Sequence, residues 1–145
     1  MNENTILLVE DNADDEALTL RALKKNNISN DVAVARDGVE ALDYLFGRGR
    51  YATRDVTELP SLVLLDLKLP KLSGLEVLRQ LRADDRTTRL PVVALTSSNE
   101  EKDLISSYES HVNSYVRKPV DFVQFVETVR QLGNYWLVIN QPSPR

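Results

Sequence analysis

Asp66 closes the apolar run Leu62-Val63-Leu64-Leu65 and is followed by Leu67-Lys68-Leu69-Pro70. A charge is costly to bury unless it is paired, so a strand that ends in Asp ends at a surface or at a site. The acidic pair Glu10-Asp11 follows a second such run, Ile6-Leu7-Leu8-Val9. Two acidic strand ends suggest a cation site. A third, reactive carboxylate beside that cation suggests phosphoryl chemistry.

These residues are far apart in sequence, so the fold must bring them together. Short apolar runs alternate with helical patterns along the chain. Ile6–Val9, Leu62–Leu65 and Val92–Leu95 read as buried strands, with Leu62–Leu65 central. Residues 31–35 alternate and suit an edge strand, and Val112–Val116 reads as the last strand. Helices are predicted over 14–25, with Asn12 as N-cap, and over 39–46, 74–81 and 100–109. Asp121 caps a fifth helix, in which Phe122, Phe125, Val126 and Val129 follow the i, i+3, i+4, i+7 spacing. The third helix carries Leu75, Leu78 and Arg82 on one stripe, and the fourth has few apolar anchors. Five alternating units predict a parallel sheet with helices on both faces, an α/β doubly wound fold. Such sheets carry their sites at the carboxyl ends of strands, which is where Glu10, Asp11, Asp66 and Thr96 fall.

Bulk composition narrows the function. The chain has 145 residues, enough for one domain of ordinary size, and 42% are hydrophobic, enough for a real core. Its 22 acidic and 18 basic residues leave a net charge of −4, which argues against a general nucleic-acid binder. The absence of cysteine removes disulfides, thiol catalysis and Cys-zinc sites. Met1-Asn2-Glu3-Asn4 lacks a basic leader region, and the apolar run behind it is too short to span a membrane, so a cytoplasmic location is expected. Two segments fall outside the repeating pattern. One is the polar connection 47–60, with Arg48, Arg50 and Arg54. The other is the apolar stretch Asn134-Tyr135-Trp136-Leu137-Val138-Ile139, which reads as strand-like and in need of something to pack on. The expected division is therefore a domain over 1–133 and a C-terminal extension over 134–145.

The ordered set Glu10-Asp11, Asp66, Thr96 and Lys118-Pro119 resembles the receiver domain of two-component response regulators, over almost the whole chain. The 47–51 segment, Ser107-Tyr108 through His111-Val112-Asn113, and Tyr135-Trp136-Leu137 resemble the single-domain regulators of bacterial phytochrome-type histidine kinases. The resemblance implies a five-stranded parallel sheet of order 2-1-3-4-5. It implies that Asp66 accepts a phosphoryl group from a sensor histidine kinase. It also implies Mg²⁺ held by Glu10, Asp11, Asp66 and the backbone carbonyl of Lys68, a set of oxygen ligands that suits this ion. Lys118 would meet the phosphoryl group as a point charge, Thr96 would give it a hydroxyl hydrogen bond, and a cis bond to Pro119 would aim the lysine. Thr96 and Tyr115 would form the switch, read out by the fourth helix, fifth strand and fifth helix. That face and the tail are expected to form a homodimer, through polar contacts on the fourth helix. No direct nucleic-acid or membrane partner is expected, and the protein is expected to be a phosphoacceptor rather than an enzyme.

Lys68 departs from the phytochrome-type pattern, where Asn is more usual. Its side chain could pair with the phosphoryl group or with Glu10, or block the attacking water. A changed aspartyl-phosphate lifetime is expected; equal dephosphorylation half-lives for wild type and Lys68→Asn would sink that expectation. Blander readings stand beside each role. Glu10-Asp11 could simply suit the next helix's dipole. Thr96 could open a turn, Tyr115 could be a core or edge aromatic, and the arginines of 47–60 could be a solvated loop. His111 is expected to be structural. An aspartyl-phosphate hydrolase would want an Asp two residues after the nucleophile, and a Toprim-like nuclease an acidic pair separated by one residue; Lys68 argues against both. A flavodoxin-type nucleotide binder would find Glu10-Asp11-Asn12-Ala13-Asp14-Asp15 repelling its phosphate. A phosphorelay intermediate, a phosphate sink and a phosphorylation-independent adaptor stay open. Output is expected through protein contact or onward phosphoryl relay.

Overall fold

The computed structural model describes residues 5–28, 30–97, 101–118 and 121–140. The strands are β1 (Ile6–Val9), β2 (Val32–Ala35), β3 (Leu62–Leu65), β4 (Val92–Thr96) and β5 (Ser114–Arg117). The helices are α1 (Ala13–Lys25), α2 (Gly38–Phe46), α3 (Gly74–Ala83), α4 (Glu101–Glu109) and α5 (Phe122–Gly133). All strand pairs are parallel, and the order is β2-β1-β3-β4-β5, as expected.

Strand β3 lies at the centre and is buried along its whole length, which is why it reads as a continuous apolar run. Alternation along the strands divides the core between the two faces. Leu7, Val9, Val63 and Leu65 face α2 and α3, with Leu42, Leu45, Val77, Leu78 and Leu81. Ile6, Leu8, Leu62 and Leu64 face α1 and α5, with Leu23, Phe125 and Val129. A one-residue slip of register would send each set to the wrong layer.

Polar side chains start the helices where expected. Asn12 Oδ1 accepts the Asp15 N–H at 3.0 Å, and Asp121 Oδ1 accepts that of Val123 at 2.9 Å. Asp37 and Ser73 do the same for α2 and α3.

Two expectations are corrected. The last strand begins at Ser114, not Val112. His111 takes φ 64° in the turn after α4, and Val112 is buried before the strand starts. Asn113 then joins β4 twice: its N–H donates to the Val92 carbonyl, and its Oδ1 accepts the Val92 N–H. The second correction is the tail. Asn134–Ile139 is not a strand but a π-helical continuation of α5. Gly133 and Asn134 keep right-handed helical angles, and Trp136 and Leu137 join the α1/α5 layer. Burial of these two side chains against an existing helical layer outweighs the strand preference of Tyr, Trp, Val and Ile.

The 47–60 connection is ordered largely by its arginines. Arg54 stacks on Tyr44, 3.9 Å from the ring centre, and donates to the carbonyls of Tyr44 and Glu58. Arg50 pairs with Glu40, whose carboxylate also accepts the Tyr51 hydroxyl. Arg50 and Arg48 are exposed, whereas Arg54 is half-buried.

Candidate phosphoacceptor and metal site

Sheet register delivers the site. Val9 pairs with both Ala35 and Leu65, and Leu65 with Ala94, so the strand ends lie at one level. Glu10 and Asp66 are each one residue beyond their strand's last paired position. Thr96 pairs with Arg117, which puts Lys118 at the same edge. The backbone continues the ladder past the strands: Glu10 N–H donates to Ala35, Asp66 N–H to Val9 and Lys118 N–H to Thr96.

The carboxylates of Glu10, Asp11 and Asp66 each bring an oxygen within 4.8 Å of the others. Glu10 is 2% exposed and Asp66 8%, while Asp11 is exposed. Like charges this close in a poorly solvated place call for a cation. Lys118 provides one: its ammonium hydrogen-bonds Glu10 Oε1, and lies 3.3 Å from Asp66 Oδ2 and 3.1 Å from Asp15 Oδ2. Three carboxylates on one buried edge, one of them exposed, also form a donor set that suits a hard divalent ion. These side chains would hold it.

Asp66 is aimed by its own loop. Its Oδ1 accepts the Lys68 N–H at 2.9 Å. Helix α3 presses on the same loop through Gly74. A Cβ at that position would stand 2.3 Å from the Asp66 carbonyl oxygen and 2.7 Å from the Leu67 Cα, so only glycine permits this approach.

The other expected residues occupy the same edge or its surroundings. Thr96 is fully buried at the end of β4. Tyr115 is half-buried on β5 and packs against the α2/α3 layer. Pro119, and with it the expected cis bond, lies outside the described residues. The Lys68 ammonium pairs with Asp103 of α4 at 3.3 Å, and the ammonium that meets Glu10 is that of Lys118. His111 turns the chain after α4, and its carbonyl accepts a hydrogen bond from Arg82 Nε at 2.9 Å.

Asp15 was not singled out by sequence. It lay inside the run Asp14-Asp15-Glu16, a charge pattern expected in the first turn of any helix. The available signal was its place three residues after the Asn12 cap, which turns its side chain back toward the strand ends.

Burial raises the Glu10 carboxyl from 4.5 to about 7, against the opposing pull of the Lys118 ammonium. Burial works to lower the Lys118 ammonium, but its hydrogen bonds to Glu10 and Asp15 and the charges of Asp66 and Glu10 leave it raised. Between 4.5 and about 7 the folded chain therefore binds more protons at Glu10 than the unfolded chain does. Stability of the metal-free protein is expected to fall as pH rises through that window, by on the order of 2–3 kcal/mol. Urea unfolding between pH 5 and 7.5 tests this with Glu10→Gln as reference. An equal pH slope in both proteins would show that Glu10 is not the source.

Comparison with known proteins agrees with this geometry. Residues 6–130 match the response regulator receiver domain family. A probable methanogenesis regulatory protein, FilR2 of Methanothrix harundinacea, is 43% identical over 143 residues, covering 96% of this chain and 88% of its own. Response regulator Rcp1 of Synechocystis sp. is 39% identical over 132 residues, covering 91% and 88%. A Mn²⁺-bound crystal structure of Rcp1 superposes with a TM-score of 0.88 over 97% of this chain and 99% of that one. The phosphorylated cyanobacterial phytochrome response regulator RcpA is 38% identical, with a TM-score of 0.89 over 98% and 99%. With a five-stranded sheet in the receiver order and an acidic cluster at its carboxyl edge, this chain belongs to the response regulator receiver domain family of two-component signalling.

Proposed function

We propose that this protein is a phosphoacceptor that takes a phosphoryl group on Asp66 from a phytochrome-type sensor histidine kinase and signals through protein contact. The observation that carries this reading is the meeting of Asp66, Glu10, Asp11 and Lys118 at one sheet edge. An Asp66 oxygen forms the new bond to phosphorus as the P–N bond of the phosphohistidine breaks, and the imidazole leaves with a proton from solvent. The Lys118 ammonium meets the negative charge of the incoming phosphoryl oxygens, and the Thr96 hydroxyl hydrogen-bonds one of them. Mg²⁺ held by Glu10, Asp11, Asp66 and the Lys68 carbonyl would neutralise charge on that group and on the carboxylates together. RcpA has been crystallised phosphorylated and Rcp1 with Mn²⁺, which supports the same chemistry here.

Incubation with Mg²⁺ and acetyl phosphate, followed by intact mass, tests the reading. One added phosphoryl group is expected, with acetate as leaving group, and none once the metal is chelated. A chain that gains no mass with Mg²⁺ and excess donor would overturn it.

Output runs through the α4-β5-α5 face, with Thr96 and Tyr115 as the switch. Helix α4 supports this by the way it is turned. It buries Asp103 and Ser107 and exposes Leu104, Ile105 and Tyr108. Exposed apolar side chains thus stand beside the exposed Lys102 and Glu109 of this helix, while Ser107 turns inward to the Asp103 carbonyl. Tyr135 and Val138 of the tail are also exposed. The exposed apolar side chains of α4 mark a contact surface, and a homodimer would use it twice over. Light scattering at micromolar concentration should give a dimer for wild type and a monomer for Ile105→Asp combined with Val138→Asp. A wild-type monomer would rule the dimer out.

A further inference from the structure

The acidic groups around Lys118 divide into two sets that only partly overlap. Glu10, Asp11 and Asp66 form the cluster suited to a divalent ion. Glu10, Asp15 and Asp66 touch the ammonium of Lys118. Among the described residues, Asp15 is thus the one carboxylate partner of Lys118 outside the cation cluster. The Lys118 side chain is only 10% exposed, so its charge depends on these partners rather than on water.

A divalent ion and an ammonium drawn to the same two carboxylates repel each other at short range. Binding of the ion therefore needs a place for the lysine charge that does not use Glu10 and Asp66 alone. We propose that Asp15 is a positioning residue that holds the Lys118 ammonium from the first turn of α1, so that a divalent ion can share Glu10 and Asp66 with it. This rests on the metal-dependent reading above.

Local structure fits Asp15 for that role. Its backbone N–H is anchored on the Asn12 cap at 3.0 Å, and its carbonyl accepts the Thr19 hydroxyl at 2.8 Å. Its carboxylate is 38% exposed, unlike those of Glu10 and Asp66, so water solvates it and holding the ammonium there costs little desolvation whether or not an ion is bound. The lysine keeps one permanent partner while the other two are taken up by the metal. Without Asp15, an incoming ion would have to displace the ammonium from both of its remaining carboxylates.

Free Mn²⁺ measured by electron paramagnetic resonance gives the dissociation constant directly, with no need for phosphorylation. Asp15→Asn is expected to weaken Mn²⁺ binding roughly tenfold, and Asp15→Glu to recover most of it. In a Lys118→Met background the same Asn substitution should cost no more than about twofold, because the effect acts through the lysine. Lys118→Gln serves as background if the methionine variant does not fold. An equal loss in both backgrounds would mean simple long-range charge and would overturn the proposal, as would no loss in the wild-type background. Either result leaves the metal reading standing. A wild type that takes up no Mn²⁺ overturns both.

Discussion

Asp66→Asn is expected to take up no phosphoryl group from acetyl phosphate in Mg²⁺, a loss of at least about a hundredfold against wild type. The chemistry needs a carboxylate oxygen, because an amide oxygen does not form a stable acyl phosphate. The substitution changes little else. Asn keeps an Oδ1 that can accept the Lys68 N–H, which now donates to Asp66 at 2.9 Å. It also removes one of three negative charges from a cluster whose oxygens lie within 4.8 Å of one another. Lys118 retains Glu10 and Asp15. The variant should therefore fold and give a native circular dichroism spectrum while its intact mass stays unchanged. Persistent gain of one phosphoryl group would move the acceptor to Glu10 or Asp11 and sink the assignment.

Arg82→Met should cause the largest loss of stability, about 3 kcal/mol, by leaving several partly buried carbonyls without their donor. The guanidinium of Arg82 is a hub on the side of α3. Its Nε donates to the His111 carbonyl, Nη1 to those of Leu90 at 2.8 Å and Thr88 at 3.2 Å, and Nη2 to Asn113 Oδ1 at 2.9 Å. It thus ties α3 to the chain entering β4 and to the turn entering β5. Asn113 is the same side chain that accepts the Val92 N–H, so losing Arg82 also loosens the β4-β5 junction. Burial works against this charge and lowers its pKa, and the ring of carbonyls compensates. A fall in Tm of about 10 °C is expected for a domain of this size. Arg82→Lys should recover only part of it, since a point charge cannot fill a planar fork. A variant that melts within about 2 °C of wild type would show that water replaces the donor without cost.

Much of this protein could be read directly from its amino-acid order. Apolar runs of period two and helical stripes located the five strands and five α-helices of the described residues, most ends within about two residues. The reason is that each element of a doubly wound fold buries its own face, so its pattern is local. Acidic residues directly after two such runs also marked the site, because strand ends in a parallel sheet share one edge. The resemblance to receiver domains rested on those same residues, and the family match bears it out.

What the tertiary structure decided was which side chain meets which. By sequence, Lys68 has three candidate roles, toward the phosphoryl group, Glu10 or the attacking water. It pairs with Asp103, whose burial on α4 cannot be read from a helix with few apolar anchors. Asp15 looked like one of three charges in a helix's first turn, yet it lies 3.1 Å from a lysine 103 residues away. Arg82 fell on an apolar stripe and proved to be a clasp for carbonyls of distant turns. The tail carried strand-forming residues and continued a helix instead, because α5 already offered a layer for Trp136 and Leu137 to join. In each case the outcome turned on burial and on the choice among several possible partners. Those are properties of the packed chain, and short-range sequence patterns specify elements but not the contacts between them.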